Sequence, residues 1–310
     1  MTPHGQQLFR RLSKGIAGSF LCFSLLSLSA AQRAGLQNAV DQAFAGQSGA
    51  AVVLSVSDGR VLAAHNVPVL THRVAAPGSA IKPFVLQLLL ETGAISPQDT
   101  IACRRLTIAS RNLNCSHPPE FTTFNAKEAL AFSCNSYFVT AASRLKPGEL
   151  ERRFHELGFN RPSGLLPGEG EGRIASANSL SDRQLMAIGI AGIEITPLEM
   201  AAAYLRLARI EPSTAAAAQR VVLAGLREAT DYGLAQNAKP ERLSVAGKTG
   251  TAPDSADPHT HAWFAGFAPS DKPEIIVVVF VERGRGSVEA ANLAHRIFQA
   301  YEQQRNGARK

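Results

Sequence analysis

Pro77-Gly78-Ser79-Ala80-Ile81-Lys82-Pro83-Phe84 is the stretch from which the rest of the chain is read. In a helix, a hydroxyl three residues before an ammonium lies on the same face, one turn away. Pro83 has no N–H to offer the carbonyl of Ser79, so Ser79 falls at or just before the first turn. The helix then opens at Ser79, with the positive end of its dipole beside the hydroxyl. Serine alone is a weak nucleophile, and a desolvated, neutral lysine within reach is one group that activates it. A capping serine followed by a solvated lysine has the same spacing, and Ser-x-x-Lys occurs by chance in most chains of this length. The stretch decides nothing alone.

Two further stretches change its weight. Ala131-Phe132-Ser133-Cys134-Asn135-Ser136-Tyr137-Phe138 carries Ser-x-Asn, and Ala246-Gly247-Lys248-Thr249-Gly250-Thr251-Ala252 carries Lys-Thr-Gly. The three together, in this chain order, mark serine β-lactamases and penicillin-binding proteins. The sequence resembles the penicillin-binding protein transpeptidase domain over roughly residues 45–300. The resemblance implies an α+β fold of the β-lactamase/transpeptidase kind. Its parts are a central antiparallel sheet of about five strands with flanking helices, an all-helical lobe, and an active site in the cleft between them. It implies Ser79 as the acylated nucleophile, Lys82 as its general base and Ser133 as the proton shuttle to the leaving amine. Asn135 is then a donor to the substrate's amide carbonyl, and Lys248 and Thr249 serve the substrate carboxylate and the proton network. The backbone N–H groups of Thr251 and Ser79 would form the oxyanion hole.

The residues themselves add detail. Lys82 must be neutral at some moment, and a helix N-terminus and a second cation, Lys248, are expected to push its pKa down. Asn125-Ala126-Lys127-Glu128 is a capping box, whereas Ser133-Cys134-Asn135 is a run of weak helix formers, so a break is expected there. On the strand that carries Lys248, alternation sends Lys248 and Gly250 to one face and Thr249 and Thr251 to the other. Gly250 is expected to leave room for a substrate backbone along the strand edge.

Rival chemistries fail. Gly247-Lys248-Thr249 also ends a phosphate-binding loop, but that loop needs a glycine where Arg242 stands, and a polar loop rather than a helix follows. His259 and His261 lack a nearby third ligand, so no metal site is expected, and no organic cofactor is implied. Glu169 and Glu171 sit in a Gly-rich turn and read as solvated carboxylates rather than a hydrolytic base. Gly-x-Ser-x-Gly is missing, so an α/β-hydrolase is unsupported.

The chain has 310 residues, 45% hydrophobic and 18% charged, which is the composition of a globular protein. Residues 1–31 read as an export signal or an N-terminal anchor: Arg10, Arg11 and Lys14, an apolar run from Ile16 to Leu28, then Ser29-Ala30-Ala31. The protein is accordingly expected at the periplasm or the extracytoplasmic face of the bacterial membrane. Removing that segment lowers the formal charge from +7 to about +4, too mild to argue for nucleic acid. Residues 32–310 are read as a transpeptidase domain with a helical insert over about 67–240. Helices are expected at 32–48, 82–92, 126–145, 181–208 (started anew by Thr196-Pro197-Leu198-Glu199, with Pro in its first turn) and 287–304, and strands at 51–56, 60–64, 243–251, 262–267 and 275–281. In an oxidising compartment Cys103 and Cys115 suit a disulfide, with two free thiols as the other reading. Cys134 has no histidine or base beside it in sequence and reads as a small buried filler.

The resemblance implies peptidoglycan stem peptides as substrate and β-lactams as covalent ligands. Fewer than twenty residues separate the signal from the first strand, where wall-building members carry another domain, so a cell-wall synthesis partner protein is expected to supply what is absent. A class D-like β-lactamase and a non-catalytic penicillin sensor or scaffold are the alternatives.

Overall fold

Ile275-Ile276-Val277-Val278-Val279-Phe280-Val281 is β-branched or aromatic throughout, and every residue of it is buried. Such a run makes a strand covered on both faces, and it is the centre of the sheet. The computed structural model describes residues 30–254 and 258–307. The signal or anchor reading falls mostly on residues 1–29, outside the described residues.

Five strands, β1 (Gly49–Ser55), β2 (Val61–His65), β3 (Ala246–Pro253), β4 (Thr260–Ala268) and β5 (Ile275–Val281), form one sheet in the order β2-β1-β5-β4-β3. Every pairing is antiparallel, with Val52 opposite Val278 and Lys248 opposite Ala265. The N- and C-terminal strands thus meet in one sheet around a long insert, as the pattern of β-runs at both ends of the chain predicts.

Two layers of helix cover the sheet. Helices α1 (Ala30–Ala43) and α10 (Ala291–Gly307) pack Leu36, Val40, Ile297 and Phe298 against Val53, Val277, Val279 and Phe264. The other face, with Val52, Ile276, Val278 and Trp263, meets the insert. A side chain of that size, fully buried, contributes about 1.5–3 kcal/mol relative to exposure.

The insert contains α2 (Val67–His72), α3 (Lys82–Glu91), α4 (Ala126–Ala131), α5 (Asn135–Ala142), α6 (Glu149–Leu157), α7 (Leu180–Ala187), α8 (Pro197–Ala208) and α9 (Ala217–Asp231). The expected capping box starts α4, with Asn125 and Glu128 bonded reciprocally. Thr196 and Glu199 do the same for α8, with Pro197 in its first turn. The stretch 181–208 is therefore two helices. The lobe is not helical throughout: residues 101–102 pair with 123–124, 107–108 with 111–112, and 173–174 with 193–194. Ladders two residues long carry no period for a sequence pattern to reveal. Among the described residues, no helix is long and apolar enough to cross a membrane.

Candidate active site

Ser79 sits in a 3₁₀ turn, Gly78–Ile81, and α3 begins at Lys82 with Pro83 in its first turn. The Lys82 N–H donates to the Ser79 carbonyl, the bond that Pro83 cannot make. Gly78 has a φ of 52°, and its N–H donates to the Gly189 carbonyl at 2.8 Å. A Cβ at Gly78 would lie 2.6 Å from the Thr251 carbonyl oxygen. One at Gly250 would lie 2.3 Å from the Pro77 carbonyl oxygen and 3.0 Å from the Ala80 nitrogen. The space a side chain at Gly250 would take is therefore filled by the turn that carries Ser79. Contact of two backbones is what the missing side chain permits. Gly189, in the stretch Ile188-Gly189-Ile190-Ala191, backs the same turn. Tyr204 holds it from below by donating its hydroxyl to the Ala80 carbonyl at 3.0 Å.

Lys82 is fully buried. Its Nζ donates to the Ser133 carbonyl at 2.8 Å, to Ser133 Oγ at 3.3 Å and to Asn135 Oδ1 at 2.6 Å, and it lies 5.0 Å from the centre of the Phe138 ring. Burial pushes its pKa down to about 8, while the Cys115 and Cys134 sulfurs act in the opposite direction. Desolvation, rather than the helix end or Lys248, is the leading cause. The Ser79 hydroxyl is not among the Nζ partners in this state, and apo geometry often leaves a catalytic hydrogen bond to be made on substrate binding.

The expected break lies where the weak helix formers stand. α4 ends at Ala131, Ser133 takes a left-handed φ of 55°, and α5 starts at Asn135. A non-glycine residue there is strained. The kink aims the Ser133 carbonyl and hydroxyl at one nitrogen. Asn135 Nδ2 donates to the Leu113 carbonyl at 3.0 Å, which leaves its second hydrogen to donate elsewhere.

On the sheet side, Lys248 is also fully buried, and its Nζ donates to the Thr249 carbonyl at 3.1 Å. Burial, then the charge of Lys82, hold its pKa well below the lysine range. The Thr249 hydroxyl points to the other face and donates to the Leu234 carbonyl at 3.3 Å, apart from the Lys82–Ser133 group. Thr251 is exposed, and its hydroxyl accepts from the Gly286 N–H at 2.8 Å. The Thr251 backbone nitrogen adjoins the Ser79 turn, 2.8 Å from where a Gly78 Cβ would stand. The structure thus brings Lys82, Ser133 and Asn135 into direct contact and places Gly250 and Thr251 against the turn that bears Ser79.

The description of the penicillin binding protein transpeptidase domain matches residues 49–299. The chain belongs to this family. The chain is 25% identical over 281 residues to a probable peptidoglycan D,D-transpeptidase PenA of Neisseria flavescens, covering 76% of this chain and 69% of that one. It is 26% identical over 253 residues to the peptidoglycan D,D-transpeptidase PbpA of Mycolicibacterium smegmatis, covering 69% and 51%. It thus spans about half the length of the latter relative. Among solved structures, the transpeptidase domain of Burkholderia pseudomallei penicillin-binding protein 3 shares the fold with a TM-score of 0.74 at 24% identity, over 89% of this chain and 93% of that one. The D,D-transpeptidase domain from Eggerthella lenta does so at 0.77 and 20%, over 87% and 81%.

Beside the three motifs of this transpeptidase domain runs a groove of about 1030 Å³, lined in part by Ala75, Ala76, Leu113, Ile190, Asp254 and His261. Its lining is tied to the segment that leads into the Ser79 turn: His261 Nε2 lies 2.7 Å from the Ala76 carbonyl, and Trp263 Nε1 donates to the same oxygen at 3.0 Å. His261 is buried with a lowered pKa, chiefly from desolvation. It braces the fold. Glu169 is not merely solvated: its carboxylate accepts from the Ser163 hydroxyl at 2.6 Å and the Leu166 N–H at 2.6 Å, which employs it in holding its loop. Arg73 links Glu282 at 3.1 Å and Asp254 at the groove's edge. No sequence signal marks this triad, because its members come from three distant segments.

The cysteines depart most from the sequence reading. Cys103 and Cys115 are free, with sulfurs 3.5 Å apart, so the bridge is not made. Cys134 is no isolated filler, since its sulfur lies 3.7 Å from that of Cys115.

Proposed function

We propose that this protein is an exported serine D,D-acyltransferase acting on the D-Ala-D-Ala end of peptidoglycan stem peptides. Ser79 Oγ attacks the carbonyl between the two D-alanines and gives its proton to Lys82. Ser133 passes a proton to the departing amine of D-alanine, leaving an ester on Ser79. An amine then takes the acyl group in transpeptidation, or water takes it in carboxypeptidation. The Thr251 and Ser79 N–H groups stabilise the oxyanion, and Lys248 and Thr249 serve the substrate carboxylate and the proton network through hydrogen bonds. A β-lactam, whose ring amide mimics the scissile bond, acylates Ser79 in the same way.

The observation that carries this reading is the buried Lys82 amine, lowered to about 8 and held by Ser133 and Asn135 one turn from Ser79. That is the poise a lysine needs to exchange a proton near neutral pH. A relative from Helicobacter pylori, PBP2, has been solved in complex with MreC, and a cell-wall partner protein is proposed for this chain as well.

Gel labelling with a fluorescent penicillin, wild type beside Ser79→Ala, tests the reading. A persistent band that depends on Ser79 is expected. A band that fades within minutes would move the assignment to a β-lactamase. No band from folded protein would leave a binding protein without acyl-enzyme chemistry.

A further inference from the structure

The insert brings four soft ligand atoms to one point. The sulfurs of Cys103, Cys115 and Cys134 and one imidazole nitrogen of His117 all lie within 4.8 Å of one another. Cys103 Sγ is 3.5 Å from Cys115 Sγ and 3.3 Å from His117 Nε2, and Cys115 Sγ is 3.7 Å from Cys134 Sγ. A tetrahedral zinc, with Zn–S of about 2.3 Å and Zn–N of about 2.0–2.1 Å, sets S···S edges near ~3.8 Å and S···N edges near ~3.6 Å. A disulfide would draw two of the sulfurs to about 2.05 Å. The separations are those of ligands around a common centre.

The surrounding bonds point the same way. His117 Nδ1 lies 3.0 Å from the Pro118 carbonyl, which can only accept, so the proton is on Nδ1 and the Nε2 lone pair faces Cys103. That is the tautomer a metal-bound imidazole needs, fixed in the usual manner by a backbone carbonyl. The Asn135 N–H donates to Cys115 Sγ at 3.1 Å, as backbone amides do to ligating sulfur. Phe124 meets the His117 ring edge-on at 4.7 Å and limits its rotation.

We propose that Cys103, Cys115, Cys134 and His117 bind a structural zinc ion. Three thiols and one imidazole make a closed four-coordinate set, which leaves no position for water or substrate. Binding releases the thiol protons to solvent. The ion's work is mechanical. Cys134 stands between Ser133 and Asn135, so a metal on its sulfur ties segment 103–117 to the strained Ser133 kink. It thereby holds in place the oxygens that surround Lys82. The site does not depend on the acylation reading, and its tests read the metal directly.

The test is metal analysis of the full chain purified without chelator, wild type beside Cys103→Ser/Cys115→Ser. About one zinc per wild-type chain and loss of it in the double variant are expected. Because the variant can fail to fold, cobalt is also exchanged into wild type. The thiolate-to-cobalt charge-transfer band and the strong visible bands of a tetrahedral site are expected, and chelation should lower the wild-type Tm. Wild type without zinc and without the cobalt bands overturns the proposal, whether thiol counting finds three free thiols or mass spectrometry finds a Cys103–Cys115 disulfide. A folded double variant that keeps its full zinc overturns the ligand assignment.

Discussion

Two lysines, one on each side of the cleft, are buried alike and held differently. Lys82, on the helical side, has three oxygens around its amine, whereas Lys248, on the sheet side, has the carbonyl of its own neighbour Thr249. Desolvation lowers both pKa values, but Lys82 stays at about 8 while Lys248 falls well below its usual range. Burial sets the direction of both shifts; the Cys115 and Cys134 sulfurs oppose it at Lys82, whereas the charge of Lys82 adds to it at Lys248.

Replacing Lys82 with Met should slow penicillin acylation by ~10²–10⁴-fold, the range for loss of a general base. Lys248→Met should cost distinctly less. Equal losses, measured as second-order labelling rates, would erase the distinction between the two sides.

The pH profile sharpens it. Below about 8 the Lys82 amine carries its proton and cannot accept another, so the labelling rate should rise by about tenfold per pH unit and level off above that value. A profile flat from pH 6 to 9 (roughly the span that brackets this pKa) would mean that another group takes the Ser79 proton.

Smaller effects belong to the scaffold. Gly250→Ala drives a methyl against the Pro77 carbonyl and should lower stability by about 1–3 kcal/mol, read from chemical denaturation. An unchanged midpoint would show that the turn can move away from β3. Thr249→Val removes the donor to the Leu234 carbonyl and should cost ~1 kcal/mol. A large loss of labelling in that variant while it stays folded would support the Thr249 hydroxyl at the substrate carboxylate.

Much of this was legible in the sequence. The run from Ile275 to Val281 announces a central strand, Asn125 with Glu128 and Thr196 with Pro197 mark helix starts, and the poor helix formers from Ser133 to Asn135 mark the kink. The position of Ser79 before α3 follows from Pro83 alone. What stayed hidden were contacts between distant segments. What lies against Gly250 is not visible until the Ser79 turn is packed on it. Cys134 reads as filler because Cys115 and His117 lie beside it in space and not in sequence. Glu169 reads as solvated because the N–H and hydroxyl groups it accepts from depend on a loop's shape.

The amino-acid sequence by itself determined the family, the order of the three motif stretches and the strands and caps that frame them. Those are properties of periodicity and of neighbours a few residues apart, which local chain geometry fixes before any tertiary contact forms. Only the folded chain decided which atoms surround each lysine, what fills the space at Gly250 and where three sulfurs and an imidazole converge. Such contacts join residues far apart along the chain, and their distances are set by packing, to which no spacing in the sequence corresponds.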